Sequence, residues 1–157
     1  MAFKLANISV KAALVKGEHY YDLKVISNDT FDEDTLNALN RLDELHELNG
    51  ILDEKTPTGL LVEAKIDAPI SSPKNWYAVG LNYRNHAEEA GMEIPNVPRI
   101  FTKHTSCLVG PHAEIEMRSD HVDYEAELVA VIGKSGKDIS IEDAWNHVAG
   151  LCVGQDI

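Results

Sequence analysis

The sequence predicts an α+β protein in which a small N-terminal module of a β-hairpin and a helix, residues 1–70, precedes a strand-rich region, residues 71–157. Three observations predict this organisation. Two N-terminal segments alternate between apolar and polar residues, a leucine-rich segment of helical periodicity follows, and after the linker SSPKN the chain reads mainly as strands. With 157 residues, of which 44% are hydrophobic, the chain is long enough to form one domain, or a small module and part of a larger domain.

The elements of the N-terminal module follow from local patterns. Residues 3–10 and 11–27 are predicted to form the hairpin, with a turn at the sequence KGEH. A helix is predicted over residues 31–50, which an Asn-Gly pair ends. Its leucine stripe is expected to pack on the hairpin, and a partner-binding face is the alternative. Residues 60–70 are predicted to form one further strand. The leucines of the stripe stand at positions 36, 39, 42, 45 and 48.

Charge and composition exclude several classes of function. The formal net charge of -12 opposes binding to nucleic acid or to anionic membrane surfaces, whereas a small anionic substrate can bind if a cation is present in the site. No apolar run approaches the roughly 20 residues of a membrane span, and lysines interrupt the N-terminus where a signal peptide is apolar, which favours the cytoplasm. Cys107 and Cys152 are too few for a disulfide framework, in agreement with a reducing compartment.

The stretch HVDYEAELVAVIGK, residues 121–134, places two glutamates inside a predicted strand. Alternation puts Glu125 and Glu127 on one face, with Cα atoms about 6.6 Å apart, close enough for both carboxylates to bind one divalent cation. Both faces of the second half of this strand are apolar, and a buried carboxylate needs a compensating charge. A strand that leaves the core at Tyr124 and exposes both glutamates to water fits the same spacing, and the spacing alone leaves both interpretations open.

Four further residues stand in positions that suit catalysis or metal binding. His86 and Glu89 lie three apart on one face of a short predicted helix, where a carboxylate can orient an imidazole that acts as a general base. A solvent-exposed surface pair has the same spacing. Lys103 follows a predicted strand, either as a ligand for a substrate carboxylate or as a solvated lysine. Asp156 adds a third carboxylate at the end of the last predicted strand.

Several motifs together resemble the fumarylacetoacetate hydrolase family. They are VGLNYRNHAEEAG, IFTKHTSCLVGP and VDYEAELVAVIGKSGKDISIEDAWNHVAGLCVGQDI, in the order and at the spacings of the bacterial acylpyruvate hydrolases and 2-hydroxyhepta-2,4-diene-1,7-dioate isomerases of that family. The resemblance covers residues 75–157 and implies that residues 71–157 form the first part of a mostly β roll of the fumarylacetoacetate hydrolase type. Because the family's catalytic domain continues beyond the strand of Asp156, the chain is expected to be truncated at its C-terminus.

The resemblance also implies a metal site. Glu125 and Glu127 match the Glu-x-Glu ligands of the family and Asp156 matches its third carboxylate ligand, which together hold Mg²⁺ or Mn²⁺. The implied substrate is a small anionic keto acid, such as a 1,3-diketo acid of the acylpyruvate type. As its carbon–carbon bond breaks, the metal neutralises the charge of the enolate that forms.

The remaining site residues follow from the same resemblance. His86 and Glu89 match the catalytic pair on a mobile lid, which activates water for attack on the distal carbonyl, and Lys103 matches a lysine that contacts the substrate. An isomerase, hydratase or decarboxylase on the same site, or an inactive fragment, remains the alternative to a hydrolase of aromatic catabolism. The resemblance implies a homodimer for the full-length protein.

Overall fold

The computed structural model describes residues 2–157 and combines helices and strands. Its strands form one five-stranded sheet, in the order β4-β3-β2-β1-β5, and two separate antiparallel pairs, β6 with β7 and β8 with β9. Short 3-10 turns link several elements. The strands are β1 (Lys4–Ile8), β2 (Lys11–Lys16), β3 (His19–Asp22), β4 (Gly59–Leu60), β5 (Ile66–Asp67), β6 (Tyr77–Gly80), β7 (Arg99–Thr102), β8 (Glu125–Ile132) and β9 (Val148–Asp156), and the helices are α1 (Leu23–Ile26), α2 (Thr35–Ala38), α3 (Leu42–Gly50) and α4 (Arg84–Glu89).

The N-terminal sheet differs from the predicted hairpin. The structure has three consecutive antiparallel strands, β1, β2 and β3, in place of two, because the KGEH turn divides the second predicted segment after β2. The predicted strand over residues 60–70 is wrong. That segment instead gives two short strands, β4 and β5, which pair at opposite edges of the sheet and are separated by a 3-10 turn at Leu61–Glu63.

The turn between β1 and β2 is strained at two residues. Ser9 and Val10 both have positive φ, at 51° and 64°, the backbone of a two-residue hairpin turn that favours Asn-Gly. For a β-branched residue this left-handed conformation is costly. The Val10 side chain is 70% exposed and therefore gains little from burial in return.

We expect Val10→Gly to raise the free energy of unfolding by about 0.5–1 kcal/mol, since the relief of left-handed strain exceeds the entropic cost of glycine. Val10→Ala is the matched control, because it shortens the side chain but keeps a Cβ in the same conformation, and it should give no such gain. Urea unfolding of the three proteins measures the difference. Equal stability of the glycine and alanine variants would contradict the strain argument.

The predicted helix over residues 31–50 is interrupted at Arg41. The backbone of Arg41 leaves the helical region, at φ −129° and ψ 48°. Arg41 is the last residue of a 3-10 turn, and α3 begins at the next residue. The guanidinium donates hydrogen bonds to the Thr30 carbonyl and to the Glu44 carboxylate, and it lies 3.8 Å from the centre of the Phe31 ring. These hydrogen bonds lower the pKa of Glu44. The interruption at Arg41 is compatible with these contacts.

The hydrophobic core lies in the N-terminal module. Strand β2 contributes Ala12 and Leu14, and the leucine stripe contributes Leu45, with Leu42 and Leu48 packed against it. The stripe therefore packs against the sheet, as the sequence predicted, and this confirms its role in the core. The full cluster of buried residues is Ala12, Leu14, Tyr21, Leu23, Ile26, Phe31, Ala38, Leu45 and Leu52.

The region after residue 70 is organised differently. Within the part of the chain that the structure describes, Ala87 is the single buried apolar residue of this region. The strand pairs β6–β7 and β8–β9 and the helix α4 supply its regular structure, and β8–β9 carries the three predicted carboxylate ligands. Across residues 2–157, no helix has the length and apolar character needed to cross a membrane.

Candidate active site

The strands β8 and β9 form a ribbon that carries the three predicted carboxylate ligands. Its register places Glu125 opposite Asp156, and Glu127 opposite Gly154. Directly opposed residues of an antiparallel pair share a face, with Cβ atoms about 5 Å apart. Residues two apart along a strand also share a face. The three carboxylates therefore lie on one surface, which we call the carboxylate face.

The two faces of the ribbon differ in exposure. On the carboxylate face Glu127 and Val129 are half-buried, whereas on the opposite face Leu128 is 61% and Val153 is 86% exposed. Strand β8 is therefore not buried on both sides. Gly154 contributes to the carboxylate face through its lack of a side chain, because a Cβ there would lie 2.8 Å from Val129 Cγ2. The position opposite Glu127 thus stays open.

Helix α4 brings an imidazole to the carboxylate face. It begins directly after Tyr83, which follows the turn at the end of β6, and it places His86 Nε2 3.8 Å from Glu125 Oε1. Both side chains are about half exposed, at 52% and 51%. Solvent can therefore reach the imidazole, and so can a small molecule that lies on the carboxylate face.

The predicted pair of His86 and Glu89 is not joined in the structure. Both residues belong to α4, yet within residues 2–157 no hydrogen bond or ion pair connects them. The carboxylate next to His86 is that of Glu125 instead. The His86–Glu89 pairing therefore stays a prediction.

Lys103 reaches the carboxylate face from the other antiparallel pair. It follows the end of β7, and its ammonium forms a hydrogen-bonded ion pair with the Asp156 carboxylate. These side chains are 28% and 24% exposed, so this pair is more shielded from water than the His86–Glu125 contact. The structure thus brings Lys103, Asp156, Glu125 and His86 to one end of the ribbon.

The donor set suits a hard divalent cation. Carboxylate oxygens are the ligands that Mg²⁺ and Mn²⁺ prefer, and three carboxylates on one face carry more negative charge than Lys103 alone offsets. As the side chains stand in the described chain, no three His, Cys, Asp or Glu side chains converge closely enough to hold a metal ion. Lys103 holds the Asp156 carboxylate, so a cation would have to share or replace that contact.

One contact at this site involves a residue that sequence reasoning missed. The Tyr83 hydroxyl accepts a hydrogen bond of 3.2 Å from the backbone N–H of Leu128, in the middle of β8. Tyr83 stands three residues before His86, inside the motif GLNYRNH. No local pattern could have found the contact, because it depends on how α4 and β8 pack together.

The matched family model decides the class of protein. Residues 75–157 match the model described as fumarylacetoacetate (FAA) hydrolase C-terminal, more than half of the chain. The chain belongs to the fumarylacetoacetate hydrolase family. This confirms the resemblance drawn from the motifs, and the matched segment contains every residue of the candidate site.

Known proteins of this family resemble the chain in sequence and in fold. The oxaloacetate tautomerase YisK of Bacillus subtilis (strain 168) is 47% identical over 104 residues, 62% of this chain and 34% of that protein. The crystal structure of a protein assigned as HpcE from Mycobacterium smegmatis has a TM-score of 0.82 and 33% identity, over 97% of this chain and 54% of that one. Both likenesses agree with the family assignment.

A third likeness concerns the fold alone. Maleylpyruvate hydrolase from Sphingobium sp. SYK-6, solved in complex with manganese(II) and pyruvate, has a TM-score of 0.77 at 20% identity, over 97% of this chain and 57% of that one. The present chain spans less than half the length of the curated relatives, covering 44%, 29% and 34% of three of them. It spans about half the length of the two solved structures.

Cys152 offers a chemical probe of the carboxylate face. It lies opposite Val129 on the same face of β9 as Asp156, and partial burial raises the pKa of its thiol. Cys107 is exposed, and neither cysteine forms a disulfide.

We expect iodoacetamide at pH 8 to alkylate Cys107 about tenfold faster than Cys152, because the thiolate is the nucleophile and burial suppresses it. Mass spectrometry of timed aliquots measures both rates. Guanidinium unfolding is the control and should bring the two rates close together. Equal rates in the folded chain would contradict the half-buried position of Cys152.

Proposed function

We propose that this member of the fumarylacetoacetate hydrolase family is a divalent-metal-dependent enzyme that moves protons on small 2-keto acids, and that it interconverts the keto and enol forms of oxaloacetate. The observation that carries the proposal is the position of His86 Nε2, 3.8 Å from Glu125, above a face with three aligned carboxylates. An imidazole can accept and return a proton near neutral pH. The name of the Bacillus subtilis relative supports the same reaction.

The proton transfer needs one base within reach of the substrate carbon. The His86 tautomer with its proton on Nδ1 leaves Nε2 free to take a proton from the carbon between the keto and carboxylate groups of oxaloacetate. The electron pair of that C–H bond forms the C=C bond of the enolate, and the imidazolium then donates the proton to the enolate oxygen. The net change is the movement of one proton from carbon to oxygen, and His86 returns to its neutral form.

Glu125 and Lys103 have separate tasks in this scheme. Glu125 lies beside His86 and stabilises the imidazolium that forms after proton abstraction. The Lys103 ammonium, held by Asp156, lies at the same end of the ribbon and offers a positive charge to a substrate carboxylate. A bound cation, together with Lys103, would reverse the local charge and so let an acidic chain bind an anionic substrate.

Glu125, Glu127 and Asp156 are the residues that would hold Mg²⁺ or Mn²⁺. The bound cation supplies a fixed positive charge that stabilises negative charge developing on the keto oxygen of the substrate. The proposal of a metal rests on the carboxylate set of this chain, because the likeness to the manganese-containing hydrolase at 20% identity concerns the fold.

A carbon–carbon hydrolase of acylpyruvates is the second candidate. It is favoured by the motifs around His86 and Lys103, and by Glu89, which stands one helical turn from His86 on α4. Hydrolysis requires His86 to activate water rather than to take a proton from carbon. It would split a 1,3-diketo acid into pyruvate and a carboxylic acid. Isomerisation, hydration and decarboxylation use the same site residues.

Two assays on the purified chain with Mg²⁺ test these candidates. In the first, oxaloacetate is added as its enol and the enol absorbance is followed, and a tautomerase speeds the approach to equilibrium without producing pyruvate. In the second, an acylpyruvate is added and pyruvate is measured with lactate dehydrogenase, which detects hydrolysis. Pyruvate from oxaloacetate would instead indicate decarboxylation. If neither enol is consumed faster than in buffer with Mg²⁺, the proposed function is wrong.

A further inference from the structure

Helix α4 has little local support for its position. It contains six residues, Arg84–Glu89, and no side chain caps its N-terminus. Isolated helices of this length are unstable in water, so tertiary contacts must hold it. Ala87 is its one fully buried residue among those described. The position of His86 over Glu125 therefore needs a further anchor.

Tyr83 provides a direct connection between α4 and β8. Its carbonyl accepts a hydrogen bond of 3.2 Å from the Ala87 N–H, so its backbone forms part of the first turn of α4. Its hydroxyl accepts a hydrogen bond of 3.2 Å from the Leu128 N–H. Leu128 directly follows Glu127 and lies three residues after Glu125. One residue thus joins the helix that carries the base to the strand that carries two of the carboxylates.

The hydrogen bond lies on the edge of β8 that faces away from β9. Successive N–H groups of a strand alternate between its two edges, and the N–H of Leu128 points to Tyr83 rather than to β9. The N–H groups of Ala126 and Ala130 therefore point to the same free edge. Unlike Leu128, neither donates a hydrogen bond to a group outside the β8–β9 pair within residues 2–157. The N–H groups of Ala126 and Ala130 therefore serve as internal references when the effect of Tyr83 on the Leu128 N–H is measured.

We infer that Tyr83 is a positioning residue, whose hydroxyl fixes α4 on β8 and so keeps His86 beside Glu125. The inference rests on the proposed function for the role of His86. The hydrogen bond itself can be measured without a substrate. Without the hydroxyl, the Leu128 N–H loses its acceptor on Tyr83 and becomes like the other N–H groups on this edge of β8. Helix α4 can then move relative to the carboxylate face. The substrate contact of Lys103 does not depend on α4 and should persist.

Tyr83→Phe removes one oxygen, and Tyr124→Phe is the matched control, because Tyr124 is 74% exposed and directly precedes β8. Amide hydrogen exchange, read by NMR, compares Leu128 with Ala126 and Ala130. In Tyr83→Phe we expect exchange at Leu128 to accelerate about fivefold, to the rate of its two neighbours. Cross-relaxation peaks between the His86 ring and the Glu125 side chain should be lost. The Tyr124→Phe chain should match the parent in both measurements.

Kinetics separate positioning from a general loss of stability. If Tyr83 positions the base, Tyr83→Phe lowers kcat about tenfold and leaves KM within about twofold, because His86 acts in the transition state. Unchanged exchange at Leu128, or His86–Glu125 peaks that persist in Tyr83→Phe, would overturn the inference. A loosened α4 with no loss in kcat would also overturn it. If the NMR changes occur but His86→Ala itself has full activity, the proposed function fails and the structural contact stands.

Discussion

We expect replacing His86 with alanine to lower kcat for the proposed keto–enol interconversion by about 10²- to 10⁴-fold, the usual contribution of a positioned general base. In the proposed reaction the His86 imidazole takes the proton from carbon and returns it to oxygen. Glu125 lies beside His86, but in the proposed scheme its carboxylate binds the metal ion and is therefore not free to act as the base. Enol absorbance at saturating Mg²⁺ measures the effect.

His112→Ala is the matched control for this change. His112 is exposed and lies in the segment between β7 and β8, away from the contacts that define the site. Its loss should leave kcat within about twofold of the parent. KM should change little in His86→Ala, because the base acts mainly in the transition state. A His86→Ala protein with the kcat of the parent would exclude His86 as the base.

Glu127→Gln raises the Mg²⁺ concentration for half-maximal activity by more than about 100-fold. Loss of residues that merely orient metal ligands costs about 10- to 100-fold in affinity, so loss of a ligand should cost more. Glutamine keeps the shape of the side chain while it removes the negative charge. The half-buried position of Glu127, opposite the open position at Gly154, makes this residue a sharper test than the exposed Glu125.

Glu88→Gln controls for the change in net charge. Glu88 lies exposed on α4, so the substitution removes one negative charge near the site without touching the carboxylate face. Its Mg²⁺ midpoint should stay within about twofold of the parent, since an exposed charge is screened by salt. If Glu88→Gln and Glu127→Gln shift the midpoint equally, the effect is one of general electrostatics and Glu127 is no ligand.

Local patterns predicted the parts of the site that depend on one strand or one helix. Alternation alone placed Glu125 and Glu127 on a common face, and the leucine spacing placed Leu45 in the core. These predictions hold because the periods of a strand and of a helix are fixed by backbone geometry. The identification of Asp156 as a partner needed the family resemblance, since nothing local pairs residue 156 with residue 125.

Long-range contacts lay beyond the sequence for a physical reason. The register that sets Glu125 opposite Asp156, the approach of His86 to Glu125 and the Tyr83–Leu128 hydrogen bond all join residues distant along the chain. Sequence spacing paired His86 with Glu89 because both share a helix, yet the tertiary arrangement gives the imidazole a different carboxylate. The interruption at Arg41 was missed likewise, since its guanidinium bonds to the Thr30 carbonyl outside the helix.

We propose that Glu125, Glu127 and Asp156 form one binding site for a divalent cation. Titration of the chain with Mn²⁺, followed by electron paramagnetic resonance of the free ion, tests it most directly and needs no substrate. We predict saturable binding of one Mn²⁺ per chain that Mg²⁺ displaces and that Glu127→Gln removes. A free-ion signal that rises in proportion to added Mn²⁺ from the first addition, as it does in buffer, would contradict the account.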